Sequence, residues 1–281
     1  MASIVPRRVM TIVALLLGGF LFLIFSVWML QEKIAFQPER APFPDAGGAV
    51  RVEYTAPDGQ KLFAYVVGNP DNAAGLVIAF HGNADLAVRW LDWAHEIEAR
   101  TGLAVMLPEY RGYMGIEGRP TYRSVGLDAE GAFNFAHEKL KASSDRFAYF
   151  GHSLGSAVAA ELAVRHPPRA LLLEAPFTSA HGMATRIAGR WLIQDLWRLV
   201  SRLHFDTEQI VASLNAPVSV VHGGRDMVVP SRMGEKVYRA AKMKGEWLFV
   251  PKASHSDVRY VGGEAYWSWV VRGLAPLTSI K

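Results

Sequence analysis

Ser153 stands between Gly151 and Gly155 in the stretch YFGHSLGSAVAAELA, Tyr149 to Ala163. The residues before it, RFAYF, read as a buried strand, and SAVAAELAVRH after it reads as a helix of small residues. A serine at so sharp a strand-to-helix turn takes a strained backbone conformation, and the positions two before and two after it must be tiny for the turn to close. The hydroxyl is then held above the end of the strand, where it can attack a carbonyl if a base removes its proton. A turn of this kind requires an acid and then a histidine further along the chain. His255, in PKASHSDV, is the only histidine after Asp226 and follows the strand-like WLFVP. Asp226 follows PVSVVHGGR at a strand end, where a carboxylate can hold the imidazole in its productive tautomer. Glu174, closing ALLLE, is the reserve candidate for that acid.

The oxyanion formed on attack needs fixed donors. One is expected from the backbone N–H of Leu154, next after the nucleophile, and the other from the backbone of Asn83 in GLVIAFHGNAD, where Gly82 keeps the loop close to the substrate. His81 comes too early in the chain to be the base and is read as a support for that loop. Other chemistries lack their residues. There is no cysteine, hence no thiolate nucleophile or thiolate metal site. AHEIEA around His95 has Ala99 where a zinc-protease helix needs a second histidine, and GYMGIEG has glycines at every third position, which fits neither a dinucleotide nor a P-loop pattern. Neither a metal nor a nucleotide cofactor is implied. Lys and Arg number 30 against 26 Asp and Glu, a net charge of +4 with no long basic run, so nucleic acid is not an expected partner and an acidic membrane surface is the better one.

These residues need a scaffold, and 281 residues with 51% apolar content supply a core. Apolar runs recur at VRVEY, LFAYVV, GLVIAF, LAVML, RFAYF, ALLLEA, VSVVHG and WLFV, and from the third onward most are separated by helix-length segments. That alternation predicts a mostly parallel central sheet flanked by helices, with chemistry at the carboxyl ends of its strands. Ahead of it, residues 9–30 carry no charge, and as a helix would reach about 33 Å, enough to cross a bilayer. After this apolar stretch come Trp28, Met29, Leu30 and Gln31 rather than a small-x-small cleavage site, favouring an uncleaved anchor over a removed signal. Arg7 and Arg8 precede the span, favouring a cytoplasmic N-terminus and an extracytoplasmic catalytic domain. The expected division is a flank at 1–8, an anchor at 9–30, a tether at 31–48 and a catalytic domain at 49–281, with a helical lid insertion at about 177–215. Within the lid, Leu192, Leu196, Leu199, Val200 and Leu203 share one helical face, while Arg186, Arg190, Arg198 and Arg202 fall on the opposite half. The apolar face suits packing on the cleft. The arginine side, with Trp191 and Trp197, suits either solvent or anionic headgroups.

With FHGNA, YRGY and a downstream EGRP, EAPFTS and HGGRDMVVP joined to the GHSLG turn, residues 50–274 resemble an α/β-hydrolase. The pattern is similar to the Bem-type branch of membrane-anchored α/β-hydrolase-domain proteins. The resemblance implies the α/β-hydrolase fold and cofactor-free serine hydrolysis of acyl esters or thioesters, with lipid-like or acylated substrates and membrane lipid as partners. Dehalogenase relatives share an HGN loop but place aspartate where this chain has Ser153. Two departures are visible: the spacing after YRGY in YRGYMGIEGRP, and Ser156 where a third glycine is common. A silent hydrolase fold used as a binding module, and an acyltransferase discharging the same acyl-enzyme, remain as alternatives.

Overall fold

The computed structural model describes residues 7–40, 47–140, 144–188 and 200–279. Its centre is an eight-stranded sheet: β1 (Val50–Thr55), β2 (Lys61–Val67), β3 (Leu76–Phe80), β4 (Ala104–Pro108), β5 (Phe147–His152), β6 (Ala170–Glu174), β7 (Val218–Gly223) and β8 (Lys244–Val250), in the order β1-β2-β4-β3-β5-β6-β7-β8. Every one of the eight apolar runs forms a strand. Pairings from β4 to β8 are parallel, and β1–β2 and β2–β4 are antiparallel. β3 to β7 are buried along their whole length, the result of helices covering both faces, which is why they read as continuous apolar runs rather than alternating ones.

Before the sheet runs α1 (Arg7–Ala35), and around it pack α2 (Leu91–Thr101), α3 (Tyr122–Glu138), α4 (Leu154–Arg165), α5 (Ala180–Ala188), α6 (Thr207–Ser213), α7 (Ser231–Ala240) and α8 (Val258–Thr278), the last broken at Gly263. α3, α4, α6 and α7 form one layer, while α2 and α8 meet on the other face. Local signals mark the ends. Thr121 and Ser124 form a reciprocal capping box on α3, and Gly102 closes α2 in the left-handed conformation at φ 67°.

The chain leaves β3 for β4 on one side and then returns to β5 on the other. Such a reversal opens a crevice at the carboxyl ends of the strands, here between the loop after β3 and the turn after β5. The loop after β4 braces that crevice. Arg111 donates from Nε to Asp128 (2.8 Å) and from Nη1 to Asp58 (2.6 Å), and its backbone N–H also reaches Asp128 (3.0 Å). With this loop pinned, Tyr110 donates from its hydroxyl to the His81 carbonyl at 3.2 Å.

Two expectations change in detail. α1 continues past Leu30 to Ala35, and Gln31, Glu32 and Phe36 are buried, so the first part of the expected tether is docked chain rather than a free linker. Its polar groups find partners on the domain, which makes burial of Glu32 affordable. The lid segment contains α5 and α6, with Leu203 buried. Arg202 remains exposed, as expected of that face, but it also pairs with Glu32 at 2.9 Å. Residues 189–199, which hold Arg190, Trp191, Leu192, Leu196, Trp197, Arg198 and Leu199, lie outside the described residues.

Replacing Asp128 by Ala leaves the Arg111 guanidinium buried with only the half-exposed Asp58 beside it. The expected loss is about 3–5 kcal/mol of unfolding free energy, read from urea midpoints. A loss below about 1 kcal/mol would show that the pair contributes as little as a surface ion pair.

Candidate active site

At the turn after β5, Ser153 has φ 53° and ψ −115°, a conformation that costs a non-glycine residue about 1–3 kcal/mol. The neighbouring glycines allow it. A Cβ on Gly151 would lie 2.2 Å from the Gly155 carbonyl oxygen, and one on Gly155 would lie 2.1 Å from that of Phe80. The two glycines therefore touch backbone to backbone, pressing the start of α4 onto β3. Ser153 donates its N–H to the Glu174 carbonyl (2.9 Å), and the Ser156 hydroxyl donates to the Ser153 carbonyl (2.5 Å). The hydroxyl at 156 thus serves a purpose that a third glycine there would not.

Three loops then converge. His255 Nε2 is 2.9 Å from Ser153 Oγ, and His255 Nδ1 is 2.7 Å from Asp226 Oδ2. Because a carboxylate only accepts, Nδ1 carries the imidazole proton and Nε2 is left to accept from the serine hydroxyl. Asp226 is fixed in turn: its Oδ1 accepts the N–H groups of Val228 (2.9 Å) and Val229 (2.7 Å). Burial alone would raise the Asp226 carboxyl, but hydrogen bonding from His222 and His255, the charge of His255 and the Val229 N–H outweigh it. The group is held well below the usual carboxylate range. It is therefore an anion throughout the neutral range, fit to stabilise an imidazolium beside it.

The reserve acid is differently engaged. Glu174 accepts from the Tyr266 hydroxyl at 2.7 Å, which accepts from Trp93 Nε1 at 2.9 Å, and burial pushes the carboxyl up to about 7. It is Asp226 that meets His255.

Around the oxyanion position, Leu154 is the first residue of α4, where an N–H has no acceptor within the helix. A Cβ on Gly82 would fall 2.8 Å from His152 Nδ1 and 3.4 Å from the Ser153 Cβ, so the loop carrying Asn83 lies directly against the serine turn. His81 holds this loop from below, with Nε2 at 2.7 Å from Glu109 and Nδ1 at 2.8 Å from the Gly82 carbonyl. The Asn83 side chain faces residues 35–37 and Tyr113: it donates to the Ala35 carbonyl (2.9 Å) and accepts from Gln37 N–H and the Tyr113 hydroxyl (both 2.8 Å).

Several contributors escaped the sequence reading. His152 lies 5.0 Å from the His255 ring and its Nε2 is 3.1 Å from the His255 carbonyl. Burial, and then the charge of His255, pull His152 down to about 4, so it is a neutral donor bracing the His255 loop. His222 is likewise buried, with Nε2 2.9 Å from the Val229 carbonyl and 3.3 Å from Asp226. Both belong to quoted motifs, GHSLG and VHGGRD, but nothing in a sequence says which way a ring turns. Among the described residues no cluster of three or more potential metal ligands is present.

The chain is 32% identical over 263 residues to Uncharacterized protein Rv2307c of Mycobacterium tuberculosis (strain ATCC 25618 / H37Rv), a match covering 91% of this chain and 90% of that protein. Residues 71–207 match the family described as Serine aminopeptidase, S33. The chain belongs to the α/β-hydrolases. Within them, the hydrolase is also similar to the Alpha/beta hydrolase domain-containing protein WAV2 of Arabidopsis thaliana, 29% identical with 75% of this chain and 73% of that one covered. Its fold is shared with the Pyrococcus furiosus esterase Pf2001, at a TM-score of 0.68 and 20% identity, covering 86% of this chain and all of the other. The constellation of serine, histidine and aspartate on this fold is of the serine-hydrolase type.

The unfolded chain ionises Glu174 near its ordinary value, whereas the folded state keeps it protonated up to about 7. The folded state thus binds more protons in that window, and stability falls as pH rises through it. Relative to Glu174→Gln, the wild type is expected to lose on the order of 3 kcal/mol between pH 4.5 and 7.5 in urea titrations. Parallel pH profiles for the two proteins would contradict this.

Proposed function

We propose that this hydrolase cleaves acyl esters or thioesters through an acyl-enzyme on Ser153. Asp226 orients and charges-balances His255, which takes the Ser153 proton as Oγ attacks the carbonyl. The oxyanion is received by the backbone N–H groups of Leu154 and Asn83. His255 then protonates the leaving alcohol or thiol, and a water activated by the same imidazole releases the acid. The reading rests on one observation: the unbroken hydrogen-bonded line from Ser153 Oγ through His255 to Asp226, launched from a strained backbone at the serine.

The likeness to an esterase favours ester over peptide bonds, and the motifs FHGNA, YRGY, EAPFTS and HGGRDMVVP support membership of the Bem-type, membrane-anchored branch. We take α1, apolar and exposed along the span, as an uncleaved anchor, because Gln31 and Glu32 near its end are buried against the catalytic domain. Arg7 and Arg8 before the span support a catalytic domain on the extracytoplasmic side. Lipid-like or acylated substrates follow from that position beside a bilayer.

Ser153→Ala is expected to reduce turnover of a nitrophenyl ester by on the order of a millionfold while leaving the melting temperature close to wild type. In the intact protein, a series of nitrophenyl esters of rising chain length, an acyl thioester and an aminoacyl nitroanilide give the substrate class. Hydrolysis of esters and thioester at least a hundredfold faster than the anilide is expected. Preference for the anilide, or persistence of ester turnover in Ser153→Ala, would overturn the reading.

A further inference from the structure

The segment from Gln31 to Glu39 touches three parts of the site. Gln31 Nε2 donates to the Val200 carbonyl (2.8 Å) and its Oε1 accepts from Arg202 N–H (2.7 Å), so the side-chain amide pairs with the lid's returning backbone. Glu32, 4% exposed, pairs with Arg202, whose guanidinium also lies 5.2 Å from the Trp28 ring centre. Phe36 is buried in the core of the catalytic domain. Next come the Ala35 carbonyl and Gln37 N–H, both bonded to Asn83. Finally the Glu39 carbonyl accepts from Met114 N–H (2.9 Å), and its carboxylate takes both terminal nitrogens of Arg89 (2.7 and 2.5 Å).

The Asn83 loop is unusual in where its support comes from. Two of the three hydrogen bonds to the Asn83 side chain come from residues 35 and 37, and the third from Tyr113. The next residue, Ala84, has φ 52°, a conformation that a residue with a Cβ keeps only when its surroundings hold it. Oxyanion donors act by being fixed before the charge appears, and small errors of placement are costly in rate.

We infer that residues 31–39 form a positioning strap that makes the end of the membrane-spanning helix part of the catalytic apparatus: by gripping the Asn83 side chain, the strap aims the loop's backbone N–H at the oxyanion. The inference rests on the serine-hydrolase reading above and adds to it a route from α1 to the rate of acylation. Because Gln31 and Glu32 hold the lid's return, the same strap sets lid and oxyanion loop together. The Asn83 side chain is a positioning group, and its effect belongs in kcat rather than in substrate binding.

The test is a double-mutant cycle in the full-length protein in detergent, with nitrophenyl butyrate and subtraction of the Ser153→Ala rate. Asn83→Ala keeps the backbone N–H and removes the grip, and Phe36→Ala loosens the strap without touching Asn83. Each is expected to lower kcat ten- to a hundredfold with KM within about threefold, and the double variant to be no slower than the slower single one. Multiplying effects, a loss confined to KM, or an Asn83→Ala kcat within twofold of wild type would overturn the strap. Where Phe36→Ala does not fold, Phe36→Leu takes its place in the cycle. Full activity in Ser153→Ala would instead overturn the underlying reading, so the two failures are distinct.

Discussion

The whole site depends on one close approach of backbone to backbone. Gly155 lies so near Phe80, and Gly151 so near Gly155, that no side chain fits at either position. This contact forces the chain from β5 into α4 without a loop and leaves Ser153 in a left-handed conformation that points its hydroxyl above the sheet. It also fixes β3 and β5 side by side at their carboxyl ends, and the loop bearing Gly82 and Asn83 is therefore pressed against the serine. Ser153 and the loop of Asn83, the proposed nucleophile and oxyanion loop, are thus placed by the same packing.

The remaining partners arrive from β7 and β8, and their electrostatics follow from how they are buried. Asp226 is desolvated yet kept charged, since its oxygens face backbone N–H groups and two imidazoles. Glu174, one strand nearer the serine, is desolvated with a single tyrosine hydroxyl on its carboxylate among the hydrogen bonds described, and its ionisation is pushed into the neutral range. Two acids at adjacent strand ends are thereby given opposite characters, one a permanent anion and the other a group that is half protonated near neutrality. His152 and His222 are buried beside His255 and Asp226 and supply shape and hydrogen bonds there, and burial together with the charge of His255 keeps His152 neutral.

Much of this was legible in the residues. The eight strands announced themselves as apolar runs because helices cover both faces, and Ser153, Asp226 and His255 stand out by their order and by their place at strand ends. The choice between Asp226 and Glu174 was not settled by local pattern, since both are acids closing a strand; the hydrogen-bond partner decides it. The strap was invisible for a physical reason. Gln31 meets a backbone carbonyl 169 positions away, and Asn83 meets one 48 positions away, so no periodicity or spacing records either contact. Arg202 looked like one more cation of an amphipathic stripe because its acidic partner lies in the segment whose Pro and Gly content reads as a tether. Tyr110 and Tyr113 were seen as part of YRGY, yet their work on the loop after β3 depends on how Arg111 is anchored to Asp128.

The most direct test of the account is covalent capture. Folded wild-type protein exposed to a fluorophosphonate and mapped by peptide mass spectrometry is expected to carry one adduct, on the peptide containing Ser153, and pre-incubation with an ester substrate is expected to slow its formation. Folded protein that remains unlabelled, or that carries its adduct on a different residue, would contradict the claim that the strained serine and its histidine form a working nucleophile.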